Sequence, residues 1–333
     1  MALIGFTRHP SFHRCPYTGF VKAAYYDRFG SAGVLKIGHL PAPSPASGEV
    51  LVRVAAAALN PKDVMVRKGK FRLFSGRRFP RIPGYDFAGT VERLGTGVSG
   101  VVPGDEVYGM VNAWKGGACS ELIAVPTGEL ASRPPSLSME EAAATPLAAL
   151  TALQALRDLL DVRPGDRVAI NGASGGVGLF AVQIASLLGG KVVAICSANN
   201  AGLVREAGAC EVIPYDEPAS PASDRRFDAF FDVFGNRPYS RVRSELSRPR
   251  RHVTTVPSGA AILRDIASRL LARSVRMVIV KSNRPDLEQL TRWIDAGELR
   301  PVVDRIYPLG GAADAQAYIE TRRARGKVVL TIG

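Results

Sequence analysis

The chain has 333 residues, enough for two domains with full-sized cores at ~150 residues per domain. Apolar residues make up 46% and charged residues 22%, which is typical of a globular protein, and no run of ~18 apolar residues predicts a membrane span. The net charge of +13 suits a polyanionic partner or a phosphorylated cofactor, and the four scattered cysteines favour a reducing compartment over a disulfide framework or a cysteine-rich zinc site.

Residues 1–20 are predicted to be a poorly ordered N-terminal extension. They contain two Arg, two His, two Pro and no acid, and they lack the apolar region that a secretory signal needs. Pro10 and Pro16 would interrupt the amphipathic helix of a transit peptide. We therefore expect a cytoplasmic protein whose regular structure begins at Val21.

The next part of the chain, up to about residue 134, consists of short β-like runs punctuated by Gly and Pro. Clear runs lie at 50–54, 87–92 and 121–125. This pattern predicts a β-barrel or a β-sandwich. Near Ser138 an Ala-rich helical stretch begins, with Ser136 or Ser138 as its N-cap.

From residue 167 onward, predicted strands alternate with helical stretches. The strands are expected at 168–170, 192–195, 227–231, 253–256 and 275–280. Such alternation predicts a parallel α/β sheet. The last fifty residues contain a helix at about 285–297, a strand at 302–307, a further helix and a final strand at 328–330.

A glycine-rich turn follows the first of these strands and opens a helix. Residues 171–178 read Asn-Gly-Ala-Ser-Gly-Gly-Val-Gly, so that Ala173, Gly175 and Gly178 occupy the three small-residue positions of a dinucleotide fingerprint. Small residues allow a tight turn, a close approach of the backbone to a pyrophosphate, and free N–H groups at the helix N-terminus. A purely structural turn is the alternative. The predicted cofactor contacts are Ser174, Gly175, Gly176 and Val177.

The end of the second strand predicts which dinucleotide is bound. An NAD site usually places an acid there, but between Cys196 at the end of this strand and Glu206 the chain has no acid. Ser197, Asn200 and Arg205 would instead accept a 2′-phosphate through charge-assisted hydrogen bonds, each contributing about 1.5–3 kcal/mol. We therefore expect NADPH rather than NADH. A solvated turn with little selectivity is the alternative.

Several local motifs accompany this fingerprint. They are Leu59-Asn60-Pro61-Lys62-Asp63, Pro83-Gly84-Tyr85-Asp86-Phe87-Ala88-Gly89, Pro103-Gly104-Asp105-Glu106-Val107-Tyr108 and Gly326-Lys327-Val328-Val329-Leu330. With the fingerprint in mid-chain, the sequence resembles the medium-chain dehydrogenase/reductase superfamily, in its zinc-free quinone oxidoreductase-like branch. The resemblance implies an α/β plus β fold: a GroES-like β-barrel catalytic domain (21–145), an inserted doubly wound Rossmann sheet (146–282) and a return segment (283–333) that completes the first domain.

The resemblance also bears on metal binding. Alcohol dehydrogenases of this superfamily place a Cys and a Gly-His-Glu at positions that here hold Asn60 and Gly84-Tyr85-Asp86. Asn and Tyr are poor zinc ligands, and the four-cysteine structural loop is missing. Cys119 is interpreted as a small buried hydrophobe. We expect no catalytic metal.

Without a Lewis acid, hydride transfer is easiest to an electron-poor π-system, because the acceptor delocalises the incoming charge. The resemblance therefore implies NADPH-dependent reduction of a quinone or an α,β-unsaturated carbonyl. It makes Asn60 the first candidate for contacting the developing oxyanion, with a turn-capping role as the alternative. Tyr85 either faces the cleft or packs under the barrel, whereas Asp63 and Asp86 organise backbone and domain contacts.

Three further cofactor contacts follow from the resemblance alone. Thr151 would touch the nicotinamide, Tyr215 would border the adenosine pocket, and Lys327 would reach back to the cofactor. The chain departs from relatives with well-formed quinone pockets at Met65 and Phe71, where some carry Tyr.

A protein of the same fold that performs no turnover, either an NADPH-binding regulator or an RNA-binding protein, is the competing interpretation. The segment 67–81 holds seven positive charges, no acid and three interleaved Phe residues, which could stack on bases. Charge runs are more often solvated faces. We expect a small-molecule substrate and a homodimer, with neither a nucleic-acid nor a membrane partner.

Overall fold

The computed structural model describes residues 19–114, 116–216, 226–247, 251–256 and 275–333. The predicted extension at 1–20 lies outside the described residues except for its last two positions, and strand β1 begins at Phe20. No helix in these ranges combines the length and hydropathy needed to cross a bilayer.

The described strands are β1 Phe20–Tyr25, β2 Lys36–Pro41, β3 Glu49–Leu59, β4 Asp86–Leu94, β5 Glu106–Met110, β6 Leu122–Pro126, β7 Leu130–Ser132, β8 Arg167–Asn171, β9 Lys191–Cys196, β10 Glu211–Pro214, β11 Ala229–Asp232, β12 His252–Thr254, β13 Val275–Met277, β14 Val303–Pro308 and β15 Lys327–Thr331. The described α-helices are α1 Pro61–Arg67, α2 Arg72–Ser75, α3 Met139–Ala143, α4 Pro146–Leu153, α5 Gly176–Leu187, α6 Ala201–Glu206, α7 Tyr239–Val242, α8 Arg284–Asp295 and α9 Ala312–Glu320.

The first large sheet has seven strands and is built around β3. Strand order is β14-β15-β3-β4-β5-β7, and β6 pairs with the first half of β3, whereas β15 pairs with its second half. All of these pairs are antiparallel except β14 with β15. Because β14 and β15 come from the C-terminal segment, the chain returns to complete the sheet that it began.

The second large sheet has six parallel strands in the order β10-β9-β8-β11-β12-β13. Counted from β8, this is 3-2-1-4-5-6, the doubly wound order in which ligands bind at the carboxyl ends of the strands, where the order reverses. The predicted fold class is confirmed. The domain boundaries at 145/146 and 282/283 stay predictions.

Helix starts follow local sequence signals. Ser138 and Glu141 form a reciprocal capping box at α3, so of the two predicted caps the structure uses Ser138. At α1 the side chain of Asp63 accepts from the N–H of Asn60, and Pro61 occupies the first helical position. The cap at Asn60 starts α1 directly after the end of β3.

One hydrophobic core runs through both parts of the molecule. It includes Phe87 of the first sheet, Leu150 of α4 and Phe231 of the parallel sheet, all of which are completely buried. Some predicted strands are shorter in the structure. Phe227, for example, forms an isolated bridge with Leu246 before β11 begins.

Candidate active site

The glycine-rich turn leaves β8 sharply. Gly172 has φ +81°, and the N–H groups of Gly172 and Ala173 both donate to the carbonyl oxygen of Ile195, at 3.0 and 3.2 Å. A Cβ added at Gly178 would lie 2.1 Å from the Gly172 oxygen. Only glycine therefore lets α5 pack this closely against the turn, as a dinucleotide fingerprint requires.

The start of α5 and the turn after β9 form a polar cradle. Gly175 precedes the first residue of α5, a twelve-residue helix whose first N–H groups have no partner within the helix. Asn200 Nδ2 donates to Ser174 Oγ at 2.9 Å, and Asn200 Oδ1 is a buried acceptor without a hydrogen-bond partner in the described ranges. A pyrophosphate at the helix N-terminus and a ribose hydroxyl on Asn200 would satisfy these groups, so the residues fit a nicotinamide dinucleotide.

Charges of both signs lie at the end of β9. Burial raises the pKa of the Cys196 thiol to about 11, with Asp216 raising it further and Arg205 lowering it. Asp216 Oδ1 accepts from the Ala198 N–H at 2.9 Å, directly after Ser197. The expectation that no acid lies at the end of β9 is therefore wrong. Asp216 reaches this turn from the neighbouring parallel strand β10, so no signal at the end of β9 itself indicates it. Tyr215, beside it, is 65% exposed.

A buried cluster of three polar side chains lies next to the cradle. Lys327 Nζ donates to Asn60 Oδ1 at 2.5 Å and to Asp86 Oδ2 at 3.0 Å, and Asn60 Nδ2 donates to the same Asp86 oxygen at 2.9 Å. None of the three is more than 4% exposed. A Cβ added at Gly176 would lie 2.8 Å from Lys327 Cδ. The structure therefore brings Lys327, Asn60 and the fingerprint turn together.

This cluster uses the amide of Asn60 within the protein. Its Nδ2 faces Asp86 and, at 3.4 Å, the Ala58 carbonyl, while its Oδ1 accepts from Lys327. Both ends of the Asn60 amide are therefore engaged within the cluster, and its contact with a substrate oxygen stays a prediction.

Two carboxylates organise the surrounding backbone, as expected. Asp63 Oδ1 accepts from the Gly84 N–H at 2.6 Å, and Asp86 Oδ1 accepts from the Leu147 N–H at 2.8 Å. Burial raises the pKa of Asp63 to about 6, against the opposing effect of its two backbone donors. These bonds tie α1, β4 and the start of α4 into one unit.

Tyr85 lies beneath this unit. It is 1% exposed, its hydroxyl donates to the Trp114 carbonyl at 2.9 Å, and burial raises the pKa of the phenol far above its usual range. The Trp114 ring contacts Phe71 and Phe74 at centroid distances of 5.2 and 5.8 Å. The Tyr85 side chain thus packs inside the domain, and a hydrogen bond from its hydroxyl to a substrate stays a prediction.

Comparisons with known proteins match this architecture. The family described as alcohol dehydrogenase GroES-like domain matches residues 46–135, and the family described as zinc-binding dehydrogenase matches 207–330. The chain is 34% identical to quinone-oxidoreductase QR1 of Triphysaria versicolor, over 93% of this chain and 98% of that protein. It is 32% identical to an NADPH-dependent alkenal/one oxidoreductase of Arabidopsis thaliana, over 93% and 79% of the two chains.

A solved structure agrees. The quinone oxidoreductase from Coxiella burnetii superposes with a TM-score of 0.86 at 30% identity, covering 95% of this chain and all of that one. The chain belongs to the medium-chain dehydrogenase/reductase superfamily, in its quinone oxidoreductase-like branch. The predicted family is confirmed.

In this medium-chain reductase, Thr151 is buried, and its hydroxyl donates to the Leu147 carbonyl at 2.6 Å, one turn back in α4. Its contact with the nicotinamide stays a prediction. Cys119 is completely buried, as expected, and burial raises its pKa well above the usual range. The described part of the chain holds no group of three or more His, Cys, Asp or Glu arranged for a metal ion.

The basic segment of this reductase is partly internal. Arg67 is completely buried and donates to Gln316 Oε1 at 2.6 Å and to the Gly30 carbonyl at 2.7 Å, and it forms an ion pair with Glu320. Arg81 is 5% exposed and donates to the carbonyls of the loop that precedes it. Two of the seven charges are therefore structural, which weakens the RNA-binding interpretation.

Proposed function

We propose that this chain transfers a hydride from NADPH to a quinone or an α,β-unsaturated carbonyl, without a metal ion. The observation that carries the proposal is the contact between the two parts of the molecule at Gly176 and Lys327. A Cβ at Gly176 would meet the side chain of Lys327, whose Nζ bonds Asn60 and Asp86, and this supports a cofactor bound beside that cluster.

The cofactor-binding residues follow from the cradle. The N–H groups at Gly175, Gly176 and Val177 would hold the pyrophosphate, and Ser174 with Asn200 would hold a ribose. We propose NADPH rather than NADH because Ser197 could donate a hydrogen bond to a 2′-phosphate and Arg205 could balance its charge. The similar protein from Arabidopsis thaliana is named an NADPH-dependent oxidoreductase. Tyr215, beyond β10, would border the adenosine.

Bound NADPH supplies the hydride. The acceptor oxygen gains negative charge as the hydride arrives, so a hydrogen-bond donor of the protein must face it. The Lys327 cluster would hold β4 and α1 against the cradle, which fixes the distance between cofactor and acceptor. The aromatic wall of Trp114 and Phe71 suits a flat conjugated acceptor.

Zinc independence is part of the proposal. The side chains at the expected ligand positions are engaged: Asn60 and Asp86 with Lys327, and the Tyr85 hydroxyl with Trp114. Neither an amide nor a phenol is a usual zinc ligand. Elemental analysis of the purified active protein should find no stoichiometric zinc, and chelator treatment should leave turnover unchanged.

An NADPH-consumption screen tests the function. Quinones, enones and enals should be reduced, and simple aldehydes should be poor acceptors, with NADPH bound more tightly than NADH in a fluorescence titration. Failure of every quinone and enone would overturn the substrate class. Equal or tighter binding of NADH would overturn the cofactor preference.

The homodimer and the cytoplasmic location are carried as proposals from fold analogy and from the sequence. Light scattering on the purified protein tests the first, and fractionation of the source cells tests the second. A nucleic-acid partner is not proposed, because Arg67 and Arg81 are turned inward.

A further inference from the structure

Lys62 is a cation beside the candidate site, and it belongs to the motif Leu59-Asn60-Pro61-Lys62-Asp63. It is the second residue of α1, two positions after Asn60. Its Nζ lies 3.7 Å from the centroid of the Tyr85 ring and 4.8 Å from that of the Trp114 ring, and the side chain is half-buried. Two aromatic faces thus hold the ammonium through cation–π contacts.

The Lys62 ammonium has no hydrogen-bond acceptor or ion-pair partner among the described residues. The nearby carboxylates are already engaged, Asp63 by two backbone N–H groups and Asp86 by Lys327, Asn60 and a further backbone N–H. Burial lowers the pKa of Lys62, while Asp63 and Asp86 oppose the shift. An ammonium carries three N–H donors, so a half-buried Lys62 without a protein acceptor in the described ranges can donate to a bound ligand.

The other polar side chains of the site are engaged elsewhere. Asn60 is held by Asp86 and Lys327, the Tyr85 hydroxyl donates to Trp114, and the Thr151 hydroxyl donates to Leu147. Of the polar side chains named here, Lys62 is the one whose donors meet no protein acceptor in the described part of the chain.

We propose that Lys62 is a catalytic residue whose ammonium hydrogen-bonds the substrate oxygen and then protonates it. The inference rests on the proposed function. The acceptor's β-carbon gains a hydride and its electron pair from the reduced nicotinamide, the C=C pair shifts, and the carbonyl π pair moves onto oxygen. A proton passes from Lys62 Nζ to that oxygen, and the neutral amine regains a proton from water. With an enone the resulting enol tautomerises to the saturated carbonyl, and with a quinone the first product tautomerises to the hydroquinone.

The first test needs no turnover. 4-Nitrophenol is titrated into the protein loaded with NADP⁺, because its phenolate oxygen resembles the oxyanion of the reaction. The wild type should bind the phenolate, and Lys62→Met should weaken that binding by about tenfold or more. Lys70→Met, at an exposed position on the same segment, serves as the matched control and should bind as the wild type does. Binding by Lys62→Met within twofold of the wild type, or no phenolate binding by the wild type, would overturn the proposal.

The second test uses turnover. Lys62→Met should lower kcat for the best acceptor by about 10²-fold, while its NADPH affinity stays at the wild-type value. Lys62→Arg, which keeps the charge and the donors, should recover part of that loss. A Lys62→Met enzyme with kcat within about threefold of the wild type would refute the role. If the wild type reduces no quinone or enone, the proposed function fails, and the phenolate titration still judges the oxyanion contact of Lys62.

Discussion

Lys327 Nζ lies 3.0 Å from Asp86 Oδ2, so the last strand of the chain forms a buried ion pair with the start of β4. The exposed fractions of the two side chains are 4% and 0%. Both strands flank β3, and Asn60 completes the arrangement by donating to Asp86 and accepting from Lys327. The C-terminal segment therefore takes part in the candidate site.

Replacement of Lys327 by Met should destabilise the protein strongly. Asp86 would keep its charge in a buried position without a cation, which typically costs about 3–5 kcal/mol of unfolding free energy. Urea denaturation measures the loss, and Lys70→Met should stay within about 0.5 kcal/mol of the wild type. The double variant Lys327→Met/Asp86→Asn should recover part of the loss. A Lys327→Met loss below about 1 kcal/mol would contradict this account of the pair.

A methyl group at Gly178 should abolish cofactor binding. The added carbon would lie 2.1 Å from the Gly172 oxygen, so α5 and the turn would have to move apart by more than the fold allows without loss of the cradle. Gly202→Ala is the matched control, because nothing lies within 4 Å of its added carbon in α6. Fluorescence titration should show NADPH binding by Gly202→Ala and none by Gly178→Ala. Equal affinities would show that the turn does not hold the cofactor.

The pKa of Asp63 makes stability depend on pH. Burial raises it from 3.8 to about 6, so between these values the folded protein keeps a proton that the unfolded chain releases. The stabilisation that the Asp63 proton gives to the folded state is fully present below pH 3.8 and is lost as the pH rises through about 6. The free energy of unfolding falls by about 3 kcal/mol over the whole transition.

Urea unfolding of the wild type and Asp63→Asn across this pH range isolates the effect. The difference in unfolding free energy between the two should change by about 2 kcal/mol between pH 4 and pH 7, in the direction that disfavours the wild type at the higher pH. Leu73→Ala, at an exposed position without a titrating group, should show a constant difference. If the difference in unfolding free energy between the wild type and Asp63→Asn stayed constant with pH, the pKa of Asp63 in the folded protein would be the ordinary one.

Arg67 and Arg78 belong to the same basic segment but should behave differently. Arg67→Met leaves Gln316 Oε1 and the Gly30 carbonyl without their donor, so we expect a loss of about 2–4 kcal/mol. Arg78→Met, at an exposed position, should change stability by less than about 0.5 kcal/mol. Similar losses for the two variants in thermal or urea unfolding would contradict the buried contacts of Arg67.

The family, the fold class and the cofactor turn could be predicted from the sequence because their signals are local. Gly172 to Gly178 lie within one turn and the start of one helix, and the cap at Ser138 needs only Glu141 three residues later. The alternation of strands and helices after residue 167 likewise depends on neighbouring residues. Backbone conformation and periodicity are set over such short distances.

The site's chemistry was decided by tertiary structure. Lys327 contacts Asn60 and Asp86, and Asp216 reaches the turn after β9. Lys62 lies over the rings of Tyr85 and Trp114. The spacing of these residues along the chain does not predict these contacts. Burial then decides which donors remain for a substrate and which acids hold protons, because desolvation depends on every element packed around a group. The sequence by itself determined the family and the cofactor cradle. Only the folded arrangement decided that Asn60 is engaged within the protein while the Lys62 ammonium faces no acceptor among the residues that the structure describes.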